Sequence, residues 1–424
     1  MDIPTQRPKV VIIGSGFAGL EAAKHLADCP ADVVLIDKRN HHVFQPLLYQ
    51  VATAALSPAQ IAQPIRSIVK EQKNCTVVQG EIITIDPDKK IIYGHKGSLP
   101  YDYLVVATGA THTYFGHDEW ATFAPGLKSL NDALHIRQRI LAAFEKAEIC
   151  EDEQERKSLM TFVLIGGGPT GVEMAGAIAE LARHTLKNEF RLIDPANAHV
   201  ILIEAGPRPL AAFPEKLSDH ARKDLEQIGV DVMTGVSVMD CTKDGVQAGD
   251  NFIPCRTIVW TAGVRASPAA VWLKAEQDKA GRVIVAPDLS LPQYPDIFVI
   301  GDTAHVMDAK GRNVPGLAPA AAQQGKYAAQ LIASKIESSA PPPPFMYRDY
   351  GIMATIGREK AVAKIRNFTF GGFFAWCLWG SIHLIPLVGF RNRLGVAVDW
   401  TWAYFTRSRG VRLITSGSES EADI

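Results

Sequence analysis

Short apolar runs of β-branched and aliphatic residues punctuate this chain at 10–13, 33–36, 162–165 and 200–203. They are continuous rather than alternating, which predicts strands buried on both faces, as in a parallel sheet. A helix-forming stretch lies inside each pair, Leu20 to Leu26 in the first and Val172 to Arg183 in the second. Further buried strands are predicted at 103–106, 258–260 and 297–300. A helix is predicted at 320–336, and a connecting helix at 133–155. Strand–helix–strand units met twice predict an α/β fold with two Rossmann-like dinucleotide-binding domains.

The turns between strand and helix carry the chemistry. The first reads Gly14-Ser15-Gly16-Phe17-Ala18-Gly19, the second Gly166-Gly167-Gly168-Pro169-Thr170-Gly171. In such a loop one glycine permits the tight turn, one lets the backbone approach a pyrophosphate, and one lets the helix pack closely. Free N–H groups at the helix start then hold the phosphates. The next strand ends in an acid each time: Asp37, followed by Lys38, and Glu204. Each acid is placed to accept from a ribose hydroxyl. Asp37 lies 23 residues after Gly14, whereas Glu204 lies 38 after Gly166 because 184–198 reads as an insertion. A single copy would compete with a ligand-free glycine turn; two copies, each with strand, helix and terminal acid, outweigh that reading. Three smaller strand endings join them: Ala107-Thr108-Gly109, Thr261-Ala262-Gly263 and Gly301-Asp302. The Asp302 carboxylate can hold the ribityl chain of a flavin, the alternative being a plain turn. Two dinucleotides on one polypeptide is the layout of a flavoenzyme that passes electrons from a nicotinamide to FAD.

The pattern changes near the C-terminus. Residues 370–390 carry no charge and are long enough to span a membrane. Yet the run holds four glycines, a proline, a serine and a histidine, and Trp and Phe dominate. Tryptophan prefers the membrane–water interface. Arg391 and Arg393 follow, then Trp400, Trp402, Tyr404 and Phe405, then Arg407, Arg409 and Arg412. Aromatics interleaved with arginines predict a C-terminal membrane-anchoring module whose segment 370–412 lies in an anionic surface. A true span, an aromatic core and a dimer contact are the alternatives. The formal net charge of −1 argues against a nucleic-acid partner, but it hides a net of +7 over 346–412 and −5 over 1–345. A proline run at 341–344 predicts a stiff linker, so removing everything after Pro344 is expected to leave both nucleotide folds intact.

At this point the chain resembles a known family. Phe44-Gln45-Pro46-Leu47-Leu48-Tyr49-Gln50-Val51-Ala52, Trp260-Thr261-Ala262-Gly263-Val264 and the run from His383-Leu384 through Gly389-Phe390-Arg391-Asn392-Arg393-Leu394 are similar to segments of the type II NADH dehydrogenases. These are single-subunit NADH:quinone oxidoreductases within the two-dinucleotide-domain flavoprotein reductases. The resemblance implies FAD at the first fingerprint and NADH at the second. It implies a hydride passed from NADH to FAD and two electrons passed on to a membrane quinone, without proton pumping. It points to Glu173 as an acid near the nicotinamide pocket, though a carboxylate early in a helix is also a good structural choice. The family's Ala-Gln-x-Ala-x-Gln motif matches Ala318-Pro319-Ala320-Ala321-Ala322-Gln323. Gln323 could donate to a quinone carbonyl; Pro319 cannot. An alanine-rich helix packed close to FAD explains the same alanines.

The resulting domain plan is 1–115 with 285–340 for FAD, 116–154 as connector, 155–270 for NADH, and 346–424 as the C-terminal module. Cys29, Cys75, Cys150, Cys241, Cys255 and Cys377 form no Cys-x-x-Cys or Cys-x₄-Cys pair, so the flavin itself is expected to reduce the acceptor. No His, Cys and Asp spacing suggests a metal. A peripheral, monotopic protein is expected, on the cytoplasmic face of the inner membrane, with a homodimer open. Two alternatives are kept: a soluble ferredoxin- or rubredoxin-type reductase, and a non-catalytic NAD-sensing flavoprotein.

Overall fold

The computed structural model describes residues 7–95 and 97–414. The chain divides into two compact units. The first comprises 1–42, 63–111 and 264–350; the second comprises 43–62, 112–263 and 351–424.

The first unit is built on a six-stranded sheet in the order Ser290–Leu291, Tyr294–Val299, Tyr103–Val106, Lys9–Ile13, Asp32–Asp37, Cys75–Gln79. The strand Lys9–Ile13 is central, with Val10 paired to Val33 on one side and to Tyr103 on the other, both parallel. Val10, Val11, Ile12, Leu35, Leu104, Val105 and Phe298 are fully buried, as the continuous apolar runs require. The helices Phe17–His25 and Ala318–Ile336 pack against each other over this sheet.

The second unit repeats the plan with four parallel strands in the order Val230–Thr234, His199–Glu204, Thr161–Ile165, Thr257–Trp260. The helix Pro169–Glu180 crosses from the second fingerprint and runs on into a π-helical turn, Leu181–Thr185. With the short turn Pro195–Asn197, this accounts for the long gap before Glu204. The expected connecting helix is two helices. Leu130–Ile149 opens on a reciprocal cap, Ser129 accepting from the Asp132 N–H and Asp132 from the Ser129 N–H. Glu153–Leu159 is capped by Asp152, which accepts from the Gln154 and Glu155 N–H groups and so ends the first helix.

Residues 351–414 do not stand apart; they cluster with the second unit. They open with an antiparallel sheet of Ile352–Gly357, Lys360–Ile365 and Phe368–Gly371. Ile352–Gly357 lies directly on Pro169–Glu180: a Cβ on Gly176 would fall 1.7 Å from the Ile356 carbonyl oxygen. The Lys360 ammonium reaches Asp224 and Gln227, each at 2.7 Å. Removing everything after Pro344 would therefore strip packing from the second nucleotide fold, and the expectation of two intact folds is corrected for that unit.

The helices Phe373–Leu384 and Phe390–Thr406 follow. No helix among the described residues is long and apolar enough to cross a membrane. The arginines expected to face a membrane divide. Arg391 and Arg407 are exposed. Arg409 turns inward and donates to the carbonyls of Thr53 and Ala177 at 2.9 and 3.1 Å. Arg412 pairs with Glu189, and Arg393 donates to the Leu387 carbonyl at 2.7 Å. Carbonyls, and for Arg412 a carboxylate, compete with the surface for guanidinium groups.

Candidate functional site

The two glycine loops are built alike. Gly14 N–H donates to the Ile36 carbonyl at 2.7 Å and Gly166 N–H to the Ile203 carbonyl at 2.8 Å. A Cβ on Gly19 would meet the Gly14 oxygen at 1.8 Å, and one on Gly171 would meet the Gly166 oxygen at 1.9 Å. Those glycines let each helix lie against its strand. At Gly16 and Gly168, by contrast, a Cβ would meet nothing within 4 Å. Both sit at the mouth of a helix, Phe17–His25 and Pro169–Glu180, with room in front of its free N–H groups. That is the space a pyrophosphate needs.

In the first unit Asp37 braces the loop from the strand end. Its Oδ2 accepts from the Ser15 N–H at 2.6 Å and the Ser15 hydroxyl at 2.7 Å, and Oδ1 accepts from the Arg39 N–H at 2.8 Å. Lys38 points to solvent, 4.0 Å from Glu81. Thr108 and Gly109 meet Ser267 and Thr303: the Thr108 and Ser267 hydroxyls are 2.5 Å apart, and the Gly109 N–H donates to Thr303 Oγ1 at 2.7 Å. Gly301 adopts a φ of +72° and donates its N–H to Gln324 Oε1 at 2.6 Å. Asp302 is half-buried and its carboxyl takes no hydrogen bond from any described residue. Open space at Gly16 and a carboxylate left unspent at Asp302 fit a flavin dinucleotide, phosphates at one and a polyol chain at the other.

Gln323 is differently employed. Its amide nitrogen donates to the Arg348 carbonyl at 3.0 Å and its oxygen accepts from the Arg348 N–H at 2.9 Å. Both ends of the amide hold the segment before Tyr350. The neighbouring Gln324, which sequence reasoning passed over, does the bracing at Gly301.

In the second unit Glu204 takes the place of Asp37. Oε2 accepts from the Gly167 N–H at 2.6 Å and Oε1 from the Gly206 N–H at 2.7 Å. Thr261 donates to the Ile165 and Gly166 carbonyls, each at 2.8 Å, which seats Ala262 and Gly263 beside the loop.

The same unit holds a cavity of about 750 Å³. Glu173, Tyr49, Gln50, Thr355, Trp379 and Trp400 are among its walls. Glu173 lies one turn into Pro169–Glu180, and its carboxyl is enclosed by protein although the residue borders the cavity. Burial pushes that carboxyl up to about 8. The Thr355 N–H at 3.5 Å and the nearby Trp379 indole offset this only in part. At neutral pH it is therefore a carboxylic acid, able to give a proton. Tyr49, Gln50 and Trp379 were not singled out for a role from sequence; only tertiary packing brings them to one wall.

Known proteins resemble this chain over most of its length. Residues 8–325 match the family described as pyridine nucleotide-disulphide oxidoreductase, and 350–408 match the NDH2 C-terminal domain. The chain is 45% identical to the type II NADH:quinone oxidoreductase Ndh of Mycobacterium tuberculosis, covering 97% of this chain and 91% of that protein. It is 29% identical to a mitochondrial internal alternative NAD(P)H-ubiquinone oxidoreductase of Arabidopsis thaliana, covering 93% and 84%. Among solved structures it shares the fold of Plasmodium falciparum NDH2 in complex with NADH, with a TM-score of 0.86 at 21% identity, covering 96% of this chain and all of that one.

Proposed function

This chain belongs to the type II NADH:quinone oxidoreductases, and from that premise we propose how its own residues divide the work. The chemistry that FAD supplies when bound is the relay of two electrons from NADH to the quinone. The first glycine loop, with Asp37, Thr108, Gly109, Gly301 and Asp302, holds the flavin dinucleotide. The second, with Glu204, Ala262 and Gly263, holds NADH. The cavity beside Glu173 takes the quinone ring, and Glu173 gives a proton to a quinone oxygen. Gln323 serves by fixing the backbone at Arg348 rather than by touching the acceptor. The observation that carries this division is a carboxyl enclosed by protein on the wall of a cavity of about 750 Å³, on the same helix that opens at the second glycine loop.

The membrane reading rests on a separate observation. Phe390, Leu394, Val398, Trp402 and Phe405 are exposed and recur every three or four residues along Phe390–Thr406, so they share one face. We assign that face to a monotopic contact with the bilayer that stores the quinone, on the cytoplasmic side. A second copy of the chain is the competing partner for it.

The primary test is NADH oxidation by purified, FAD-loaded protein with a short-chain quinone as the sole acceptor. Rapid bleaching of the flavin by NADH and stoichiometric quinone reduction are expected. Bleaching without quinone reduction would leave a reductase for some other acceptor, and no bleaching would leave a sensor.

A further inference from the structure

One hydrogen-bond arrangement on the cavity wall admits a single assignment. The Trp400 indole nitrogen lies 2.7 Å from Gln50 Oε1. An indole N–H only donates, so the amide atom facing it is the oxygen. The Gln50 nitrogen must then face Tyr49, and it donates to the phenolic oxygen at 2.9 Å. Tyr49 is thus made to accept, and its own proton is left over. Tyr49 is 5% exposed and Gln50 8%, so bulk water is not the partner. No described residue takes that proton. A buried hydroxyl proton with no acceptor is unfavourable unless something in the cavity accepts it.

The rest of the wall has the same bias. Trp379, 4% exposed, has its indole nitrogen beside the Glu173 carboxyl, with no hydrogen bond of good geometry to any described residue. It packs on Trp400, ring centroids 5.4 Å apart, and meets Tyr49 edge-on at 6.4 Å. Glu173 adds a neutral carboxylic acid. Unspent donors among aromatic faces suit a flat ligand whose polar atoms only accept, and a quinone ring with two carbonyl oxygens is of that kind.

We propose that Tyr49 donates a hydrogen bond to a carbonyl oxygen of the quinone, with Gln50 and Trp400 as positioning residues that keep its hydroxyl in the donating orientation. The proposal rests on the reading of this cavity as the quinone site. No proton leaves Tyr49: burial holds the phenol well above its ordinary range. Trp400 belongs to Phe390–Thr406, the helix whose other face carries the exposed stripe, so the membrane-facing helix itself sets the donor.

The test uses the full-length, FAD-loaded enzyme. Tyr49→Phe should raise the KM for a short-chain quinone roughly tenfold, the size of one neutral hydrogen bond. The rate at which NADH bleaches the flavin should not change. Trp400→Phe keeps the stacking and the Tyr49 hydroxyl but releases the Gln50 oxygen. The amide can then turn and take the Tyr49 proton for itself, so quinone KM should rise as in Tyr49→Phe. The double variant should be no worse than either single one. Flavin content and thermal midpoint report folding; if Tyr49→Phe does not fold, Trp400→Phe carries the test. An unchanged quinone KM in the folded variants overturns the proposal, as does slower flavin bleaching to match, or losses that add in the double variant. A wild-type enzyme that bleaches with NADH yet reduces no quinone would instead defeat the reading of the cavity, and this proposal with it.

Discussion

Glu204 and Glu173 are both glutamates of the second unit, and their surroundings differ. Glu204 sits at a strand end with each oxygen accepting one backbone N–H. A carboxylate has lone pairs to spare for ribose hydroxyls, but a 2′-phosphate would meet like charge. Arg208, the nearby cation that might have welcomed a phosphate, is spent on the Phe213 and Ala211 carbonyls at 2.9 and 3.2 Å. NADH should therefore exceed NADPH in kcat/KM by about a hundredfold, and Glu204→Gln should narrow that ratio roughly tenfold. Equal values for the two nucleotides in the wild type would reject this. Glu173 is enclosed instead and stays protonated to about pH 8. Turnover with quinone should hold below that pH and fall above it, while Glu173→Gln should be slow throughout and lose the falling limb. The stability effect runs the same way. The folded carboxyl keeps its proton while the unfolded one releases it near 4.5, so stability declines as pH rises from there to about 8. A chemical-denaturation series across that range should show a shallower decline in Glu173→Gln. The position of Glu204 beside its glycine loop was legible because a strand, a glycine loop and an acid keep a fixed order. The raised pKa of Glu173 was not, because it comes from burial by elements distant in sequence, which Thr355 and Trp379 offset only in part.

The elements split in the same manner. Every parallel strand read from a continuous apolar run is present, because a buried strand needs nothing beyond its own composition. The antiparallel sheet of 352–371 was missed. Its signals are modest: short alternating stretches with turns at Arg358-Glu359 and Arg366-Asn367, next to an aromatic run that drew the eye. What makes it a sheet is a neighbour, the helix Pro169–Glu180, against which Ile352–Gly357 is pressed at Gly176. Gly176→Ala would force helix and strand apart. The expected loss is about 1–3 kcal/mol, the usual range for overpacking, seen as a lower thermal midpoint. Since Glu173 and Thr355 lie on these same two elements, quinone reduction should suffer more than flavin bleaching by NADH. A variant as stable as wild type would mean that the contact yields. The aromatic residues of the tail divide along similar lines. Trp379 and Trp400 pack at a tilt against each other, and Trp376 packs against Tyr404 at 5.6 Å. Phe374, Phe390, Trp402 and Phe405 are exposed. The core reading describes the first group, the second is exposed and open to a partner, and composition alone could not sort the two.

At the scale of the whole molecule, the question is how the enzyme meets a substrate that lives in a bilayer. Cutting the chain after Pro344 would not answer it, because the cut would also remove Ile352–Gly357, Lys360 and Arg409 from the second unit. The exposed stripe offers a cleaner probe. Replacing Leu394, Val398 and Phe405 with serine removes apolar area from one face of Phe390–Thr406 and leaves the inward Val396 and Trp400 alone. Burial of that face is non-directional and does not screen, whereas attraction of Arg391 and Arg407 to anionic lipid weakens with salt. The wild type should therefore sediment with anionic vesicles at low salt and be only partly released at high salt. The serine variant should bind weakly at low salt and not at all at high salt. Its reduction of a short-chain quinone should stay near wild type while that of a long-tailed quinone in vesicles drops, since only the second reaction needs the bilayer. A serine variant that still pellets at high salt would remove this stripe as the anchor. A wild type that never pellets but shifts from dimer to monomer on the same substitutions would give the face to a second copy of the chain.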